Sequence, residues 1–189
     1  MRVSAVVIVL ALLVGLAPAG PAAAGGIDGV SFPDQLETRG TPLELRGLGL
    51  MRWRELVKVC AAAFYRATGE ARDRAVGDGA RRLEITYLHA LRASDLARST
   101  TELLRRNVPK PTLEAIRPRI ARLTAALRDV GPGDRFALTY IPEHGTDVAL
   151  NGQVLDVIEG GDFADAVFAI WFGPRPLDRD LKAQLLGAA

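Results

Sequence analysis

An arginine and a cysteine beside an alternating run are the residues of this chain best able to do chemistry. The run extends from Trp53 to Tyr65, and a period of two places Arg52 and Cys60 on the same side of a strand. A guanidinium offers two parallel donors to a carboxylate and keeps its charge when half buried. A thiol is a weak hydrogen-bond partner, and its use as a nucleophile would need a basic neighbour, of which Lys58 is the nearest along the chain.

The same alternation describes the two faces of this strand. The odd-numbered side chains from Val57 to Tyr65 are apolar, which predicts that they face the core. The even-numbered set is mixed, with charged residues at its start and apolar residues further on. We therefore expect the even-numbered face, with Arg52 and Cys60, to look towards solvent or into a partly polar cleft.

Other residues with catalytic or metal-binding chemistry are few and scattered. His89 and His144 are the two histidines and have no metal-ligand spacing with each other, and the carboxylates show no paired arrangement. Cys60 is the single cysteine, which excludes an intramolecular disulfide and a cysteine zinc site. Gly47 and Gly49 lack the third glycine and the following helix of a dinucleotide-binding loop. We expect no metal, no cofactor and no catalytic set.

The charge balance argues against nucleic acid as a partner. The 189 residues include 24 basic and 22 acidic side chains, and the arginines are scattered along the chain. A nearly neutral domain lacks the electric field that draws nucleic acid to a protein surface. We expect no nucleic-acid partner.

The first residues have the pattern of a secretory signal peptide. Arg2 supplies a positive start, Val3 to Leu16 form an apolar run, and Ala22 to Ala24 are small residues suited to cleavage. The run is too short to span a bilayer comfortably, and charges interrupt every later apolar stretch. We predict a signal peptide over residues 1–24, a periplasmic or secreted mature protein, and no transmembrane span after processing. An uncleaved N-terminal anchor is the alternative.

The remaining chain divides into a lead-in and one domain. Residues 25–42 are rich in glycine, proline and polar side chains and are predicted to be irregular; residues 43–189 are predicted to form the domain. Its pattern predicts strands, two helices, three meandering strands and two further helices, with Asn151-Gly152 as the tight turn of a hairpin. Runs of strand and helix without strict alternation indicate an α+β fold, an antiparallel sheet backed by helices.

Two blocks of this domain carry a recognisable pattern. Residues 45–65 contain a close glycine pair, an arginine and a strand ending in Phe64-Tyr65. In residues 145–187 the hairpin is followed by two helices and a spaced set of apolar, glycine and proline positions. The matching residues are Phe163, Ile170, Trp171, Gly173, Pro176, Leu181, Lys182, Leu185, Leu186 and Gly187. Both blocks resemble the chalcone isomerase-like family, in a bacterial exported branch, which implies the open-faced β-sandwich of that family.

The resemblance also implies a ligand site. In the plant isomerases an arginine at the start of the long strand contacts the ligand, and in the fatty-acid-binding relatives an arginine and a tyrosine hold a carboxylate. Arg52 resembles that arginine, although Met51 shifts the spacing by one residue, and Cys60 stands where the relatives have tyrosine or threonine. The expected function is non-catalytic binding of a small apolar carboxylate such as a fatty acid. The expected ligand-binding residues are Arg52, Leu56, Cys60, Ala62 and Phe64.

Two other functions stay open. One is an isomerase of the intramolecular lyase type on an unknown substrate, with Arg52 as electrophile and Tyr87 or His89 as the acid-base group. Chalcone cyclisation itself is not expected, because Leu96 stands at the position that matches the catalytic tyrosine of the plant enzymes. The other is an envelope interaction module that has a filled core and binds no ligand.

Overall fold

The computed structural model describes residues 23–54, 56–69 and 79–187, which form a seven-stranded sheet, a separate hairpin and five helices. The strands are β1 (Ala23–Ile27), β2 (Val30–Pro33), β3 (Gln35–Thr38), β4 (Thr41–Trp53), β5 (Val57–Ala67), β6 (Arg81–Tyr87), β7 (Arg135–Ile141), β8 (Gly145–Leu150) and β9 (Gln153–Ile158). The helices are α1 (Ala93–Asn107), α2 (Lys110–Ala115), α3 (Arg117–Ala126), α4 (Gly161–Phe172) and α5 (Arg179–Leu185).

The large sheet is an antiparallel meander in which each strand from β3 to β9 pairs with the next one along the chain. Helices α1 to α3 occupy the connection between β6 and β7, and α4 and α5 follow β9. Side chains of α1, α3, α4 and α5 share one buried cluster with one face of the sheet. The predicted α+β fold, with an antiparallel sheet backed by helices, is confirmed.

The C-terminal hairpin forms at the predicted turn. Asn151 and Gly152 join β8 to β9 and have φ angles of 51° and 82°. Both residue types tolerate positive φ, which a two-residue turn of this kind requires. The predicted pair of C-terminal helices is also present, and Asp178 caps α5 by accepting a hydrogen bond of 2.7 Å from the backbone N–H of Leu181.

The prediction of an irregular lead-in over residues 25–42 is wrong. This segment forms most of β1, all of β2 and β3, and the start of β4. Its polar and glycine-rich composition arises from two tight turns, Asp28-Gly29 and Arg39-Gly40, whose four residues all have positive φ. Strands β1, β2 and β3 are only four or five residues long, which is too short for alternation to stand out against the turn residues.

The prediction of one long strand from Trp53 to Tyr65 is also wrong. A turn near Arg54, which has a φ of 51°, ends β4 and leads into β5. The predicted short strand at Leu43–Leu45 is the beginning of the 13-residue β4, which continues through the glycines at positions 47 and 49. Arg52 and Cys60 therefore lie on different strands: Met51 pairs with Cys60, and Arg52 pairs with Lys58, with an irregularity in the register between them.

From Cys60 to Arg66 both faces of β5 are buried, which corrects the expectation that its even-numbered face looks into solvent or a partly polar cleft. Cys60, Ala62 and Phe64 belong to the main core beneath the helices. Ala61 and Tyr65 belong to a second, smaller cluster on the opposite face of the sheet, which side chains of the β1–β2 hairpin help to cover. The alternation identified two faces correctly, but the face with the mixed sequence is the one that the helices cover.

Helix α5 lies so close to β4 that only glycine fits at one strand position. A Cβ atom built on Gly47 would be 2.3 Å from the backbone oxygen of Gln184 and 2.7 Å from that of Leu185. Beside this contact, the side-chain oxygen of Gln184 accepts a hydrogen bond of 3.0 Å from the backbone N–H of Leu50.

We expect Gly47→Ala to lower the free energy of unfolding by about 1–3 kcal/mol, because the added methyl group would push α5 away from β4. The matched control is Gly26→Ala, whose Cβ would meet only the backbone oxygen of Val30, at 3.8 Å. Urea unfolding of both variants measures the difference. Equal stability of the two variants would show that α5 can move without cost.

Candidate ligand-binding site

A cavity of about 170 Å³ lies between the helices and the sheet. Its floor is formed by the four strands β4 to β7, with the residues Met51, Val59, Cys60, Ile85, Tyr87, Phe136 and Leu138. Its walls are formed by helices α1, α3 and α4, with the residues Leu96, Ser99, Thr100, Leu103, Leu123, Val167, Ile170 and Trp171. Leu91, Leu127 and Leu177, from the connecting segments, complete the lining. The exposed residues Ser99 and Leu177 mark the side on which the cavity meets solvent.

The lining is almost wholly apolar. Among the described residues that line the cavity, none is charged at neutral pH; the polar side chains are those of Cys60, Tyr87, Ser99 and Thr100, with the indole of Trp171. Apolar walls with a few polar groups are typical of sites that hold small organic molecules. The arrangement can therefore hold an apolar body and make a small number of neutral hydrogen bonds to it.

Three floor residues form a row across adjacent strands. The register pairs Met51 of β4 with Cys60 of β5, and Cys60 with Tyr87 of β6. Burial, and secondarily the negative charge of Asp178, raises the pKa of the Cys60 thiol to about 12. Burial, and secondarily the nearby Cys60, also raises the pKa of Tyr87 above its ordinary value. Both groups are thus protonated and uncharged at neutral pH.

The structure brings one of the five expected ligand-binding residues, Cys60, to the cavity. Arg52 is exposed at the end of β4, and Leu56 is 86% exposed in the following turn, and neither is among the lining residues. Ala62 and Phe64 face the same side of the sheet as Cys60 but are packed into the core. The ring of Phe64 lies 4.3 Å from that of Phe172, centroid to centroid, so this part of the space is filled.

The helices contribute slightly more lining residues than the strands do, and the sequence pattern does not assign these helical residues to a ligand site. Leu96, Thr100 and Leu103 recur at helical spacing on α1, and Val167, Ile170 and Trp171 do so on α4. Such a stripe predicts a buried helix face. It does not tell whether the space beneath that face is filled or hollow, so the sequence held a signal for burial and none for the cavity.

The remaining candidate groups lie elsewhere. Tyr87 lines the cavity, whereas His89 is exposed and is not among the lining residues. His144 lies 2.8 Å from a carboxylate oxygen of Asp147, which also pairs with Arg39. Within the described ranges, no group of three or more histidine, cysteine or acidic residues could hold a metal ion. The helices described by the structure include none that is long and apolar enough to cross a membrane.

Comparison with known proteins identifies the family. A family model described as chalcone isomerase-like matches residues 24–187. The chain belongs to the chalcone isomerase-like family. Its fold is similar to the crystal structure of a fatty-acid-binding protein from Arabidopsis thaliana, with a TM-score of 0.64 and 15% sequence identity over 84% of this chain and 92% of that one. A search of curated proteins found no match. The fold expected from the resemblance, that of the chalcone isomerase type, is confirmed.

We expect the Cys60 thiol of this chalcone isomerase-like protein to be nearly unreactive in the folded state. Alkylation requires the thiolate, and a pKa raised to about 12 leaves almost none of it at pH 8. Labelling with iodoacetamide, followed by mass spectrometry, should be slow for the native protein and fast in 8 M urea. Rapid labelling without denaturant would show that the floor of the cavity is wet and that the thiol ionises readily.

Proposed function

We propose that this protein binds a small apolar molecule in the cavity beneath α1 and α4 and does not transform it. The observation that supports this proposal is a hollow whose described lining residues are apolar apart from a few neutral groups. Its volume of about 170 Å³ is close to the roughly 150 Å³ of an engineered apolar cavity that binds benzene. It is smaller than the roughly 300–1,000 Å³ of common ligand pockets. The enclosed part of the ligand is therefore about the size of one ring or a short alkyl chain.

The observations support binding of the apolar chain of a fatty acid, but they do not support the expected contact with its carboxylate. The similar structure from Arabidopsis thaliana is that of a fatty-acid-binding protein, and alkyl chains suit the apolar walls. The expected carboxylate partner, Arg52, is exposed and outside the lining, and Met51 occupies the neighbouring place on the floor. We therefore propose an apolar ligand and assign Arg52 no part in holding it.

The geometry favours binding over the two alternatives. An isomerase that uses Arg52 as electrophile would need that residue close to Tyr87 or His89, yet only Tyr87 lines the cavity. An efficient acid-base group has a pKa near the working pH, and burial shifts the pKa of Tyr87 away from it. An interaction module without a ligand would have a filled core, which the cavity argues against.

We expect Leu96→Trp to abolish ligand uptake, because the larger side chain on α1 would fill the cavity. Leu113→Trp is the matched control, since Leu113 is also a half-buried helical leucine but lies on α2, outside the cavity lining. Titration with acetophenone, followed by ¹H–¹⁵N chemical shifts, should give saturable shifts around Tyr87 and Val167 in the wild type and in the control.

Native mass spectrometry of freshly purified protein tests for a ligand retained from the cell. A wild-type protein that carries no ligand and shows no shifts would overturn the proposed function.

We also propose that the protein acts outside the cytoplasm after removal of residues 1–24. The described residues begin at Ala23, so nearly all of the predicted signal peptide lies outside them. Cleavage after Ala24 would leave β1 with the pairs Gly25–Phe32, Gly26–Ser31 and Ile27–Val30. On expression in an export-competent bacterium, the intact mass should correspond to a chain that starts at Gly25. A mass that includes residues 1–24 would contradict cleavage and favour the uncleaved anchor.

A further inference from the structure

The charges around the cavity floor disfavour an anionic ligand. The described lining residues provide no cation. The charged group that acts on Cys60 is negative, because Asp178 raises the pKa of the thiol. A carboxylate placed beside Cys60 would experience the same repulsion. Without a compensating cation, burying a carboxylate is so costly that the group takes up a proton instead.

The polar groups on the floor suit an uncharged acceptor. Tyr87 lines the cavity and lies on the strand beside Cys60. A phenol donates one good hydrogen bond, whereas the adjacent Cys60 thiol is a weak donor. A neutral hydrogen bond from the Tyr87 hydroxyl to an acceptor on the ligand would contribute about 0.5–1.5 kcal/mol to binding, which corresponds to about 2–10-fold in Kd.

We infer that the cavity selects an uncharged ligand with a carbonyl-type acceptor, a ketone, aldehyde or ester, which accepts a hydrogen bond from Tyr87. The inference rests on the proposed function and specifies the class of ligand that it takes. It separates this protein from a carboxylate carrier, because the site would admit a carboxylic acid only in its protonated form.

Two matched pairs of small probes test the inference: 2-octanone with octanoate, and acetophenone with benzoate. Within each pair the apolar body is similar, and the polar end is a ketone or a carboxylate. Trp171 lines the cavity, and its fluorescence is isolated by Trp53→Phe, because the chain contains two tryptophans. The ketones should bind with the same Kd at pH 5.5 and pH 7.5. The apparent Kd of each acid should rise about tenfold per pH unit above a carboxyl pKa of roughly 4–5, which is about 100-fold between these pH values.

The outcomes separate the inference from the proposed function. Tighter binding of the ketones than of the acids at pH 7.5, with the expected pH dependence of the acids, supports both. Binding of an acid as tight as that of its ketone, without this pH dependence, overturns the inference and leaves the proposed function intact. Failure of both pairs to bind overturns both.

Two variants locate the contact. Tyr87→Phe should weaken ketone binding by about 2–10-fold, the value of one neutral hydrogen bond. Tyr65→Phe is the matched control and should leave the Kd unchanged, because Tyr65 is a buried tyrosine on the opposite face of the sheet. Equal effects of the two variants would overturn the assignment of Tyr87.

Met51→Arg tests whether the lack of a positive charge at the cavity floor causes the preference for uncharged ligands. Met51 lines the cavity beside Cys60, so a guanidinium there should reverse the preference, with octanoate binding more tightly than 2-octanone at pH 7.5. If a folded Met51→Arg protein still preferred the ketone, the absence of a cation would not be the cause of selectivity, and the inference would fall. If this variant does not fold, the pH dependence of the acids and the Tyr87→Phe comparison decide the question.

Discussion

The close approach of α5 to β4 is the contact on which the geometry of the site depends. At Gly47, which has no side chain, the backbones of β4 and α5 come into direct contact. Beside this contact, the side-chain oxygen of Gln184 in α5 accepts a hydrogen bond from the backbone N–H of Leu50. A residue with a side chain at position 47 could not keep this distance. This contact fixes the position of the middle of β4. The later part of the strand continues from there to the cavity floor.

The position of β4 decides which side chain reaches the cavity. The register of β4 with β5 changes between Met51 and Arg52, so Met51 pairs with Cys60 and lines the cavity while Arg52 is exposed. A difference of one residue along a strand exchanges its two faces. The same sequence segment would have given a charged floor with the other register, and the apolar floor is thus a consequence of strand pairing as much as of composition.

The sequence allowed prediction of those elements whose local signals agree with the final structure. The Asn151-Gly152 hairpin has turn residues of the required type, and the amphipathic helices have clear apolar stripes, so the α+β fold followed. The sequence has no glycine or proline near Arg54, so its alternation predicts one strand where the structure has two, β4 and β5. Strand alternation predicts which face of the sheet carries Cys60, which lines the cavity, whereas the cavity walls depend on how helices from distant parts of the chain pack over the sheet.

One face of β5 borders both a filled part of the core and the cavity, and the difference arises from the size of the side chains. Phe64, at one part of β5, meets Phe168 and Phe172 and fills the space beneath α4. Cys60, four residues earlier, is small, and the aromatic residues near it, Tyr87, Phe136 and Trp171, line the cavity. An apolar cavity of this size costs on the order of a few kcal/mol relative to a packed core. A ligand that binds only the folded state would recover part of that cost. The cavity is therefore better explained as a ligand site than as a packing defect.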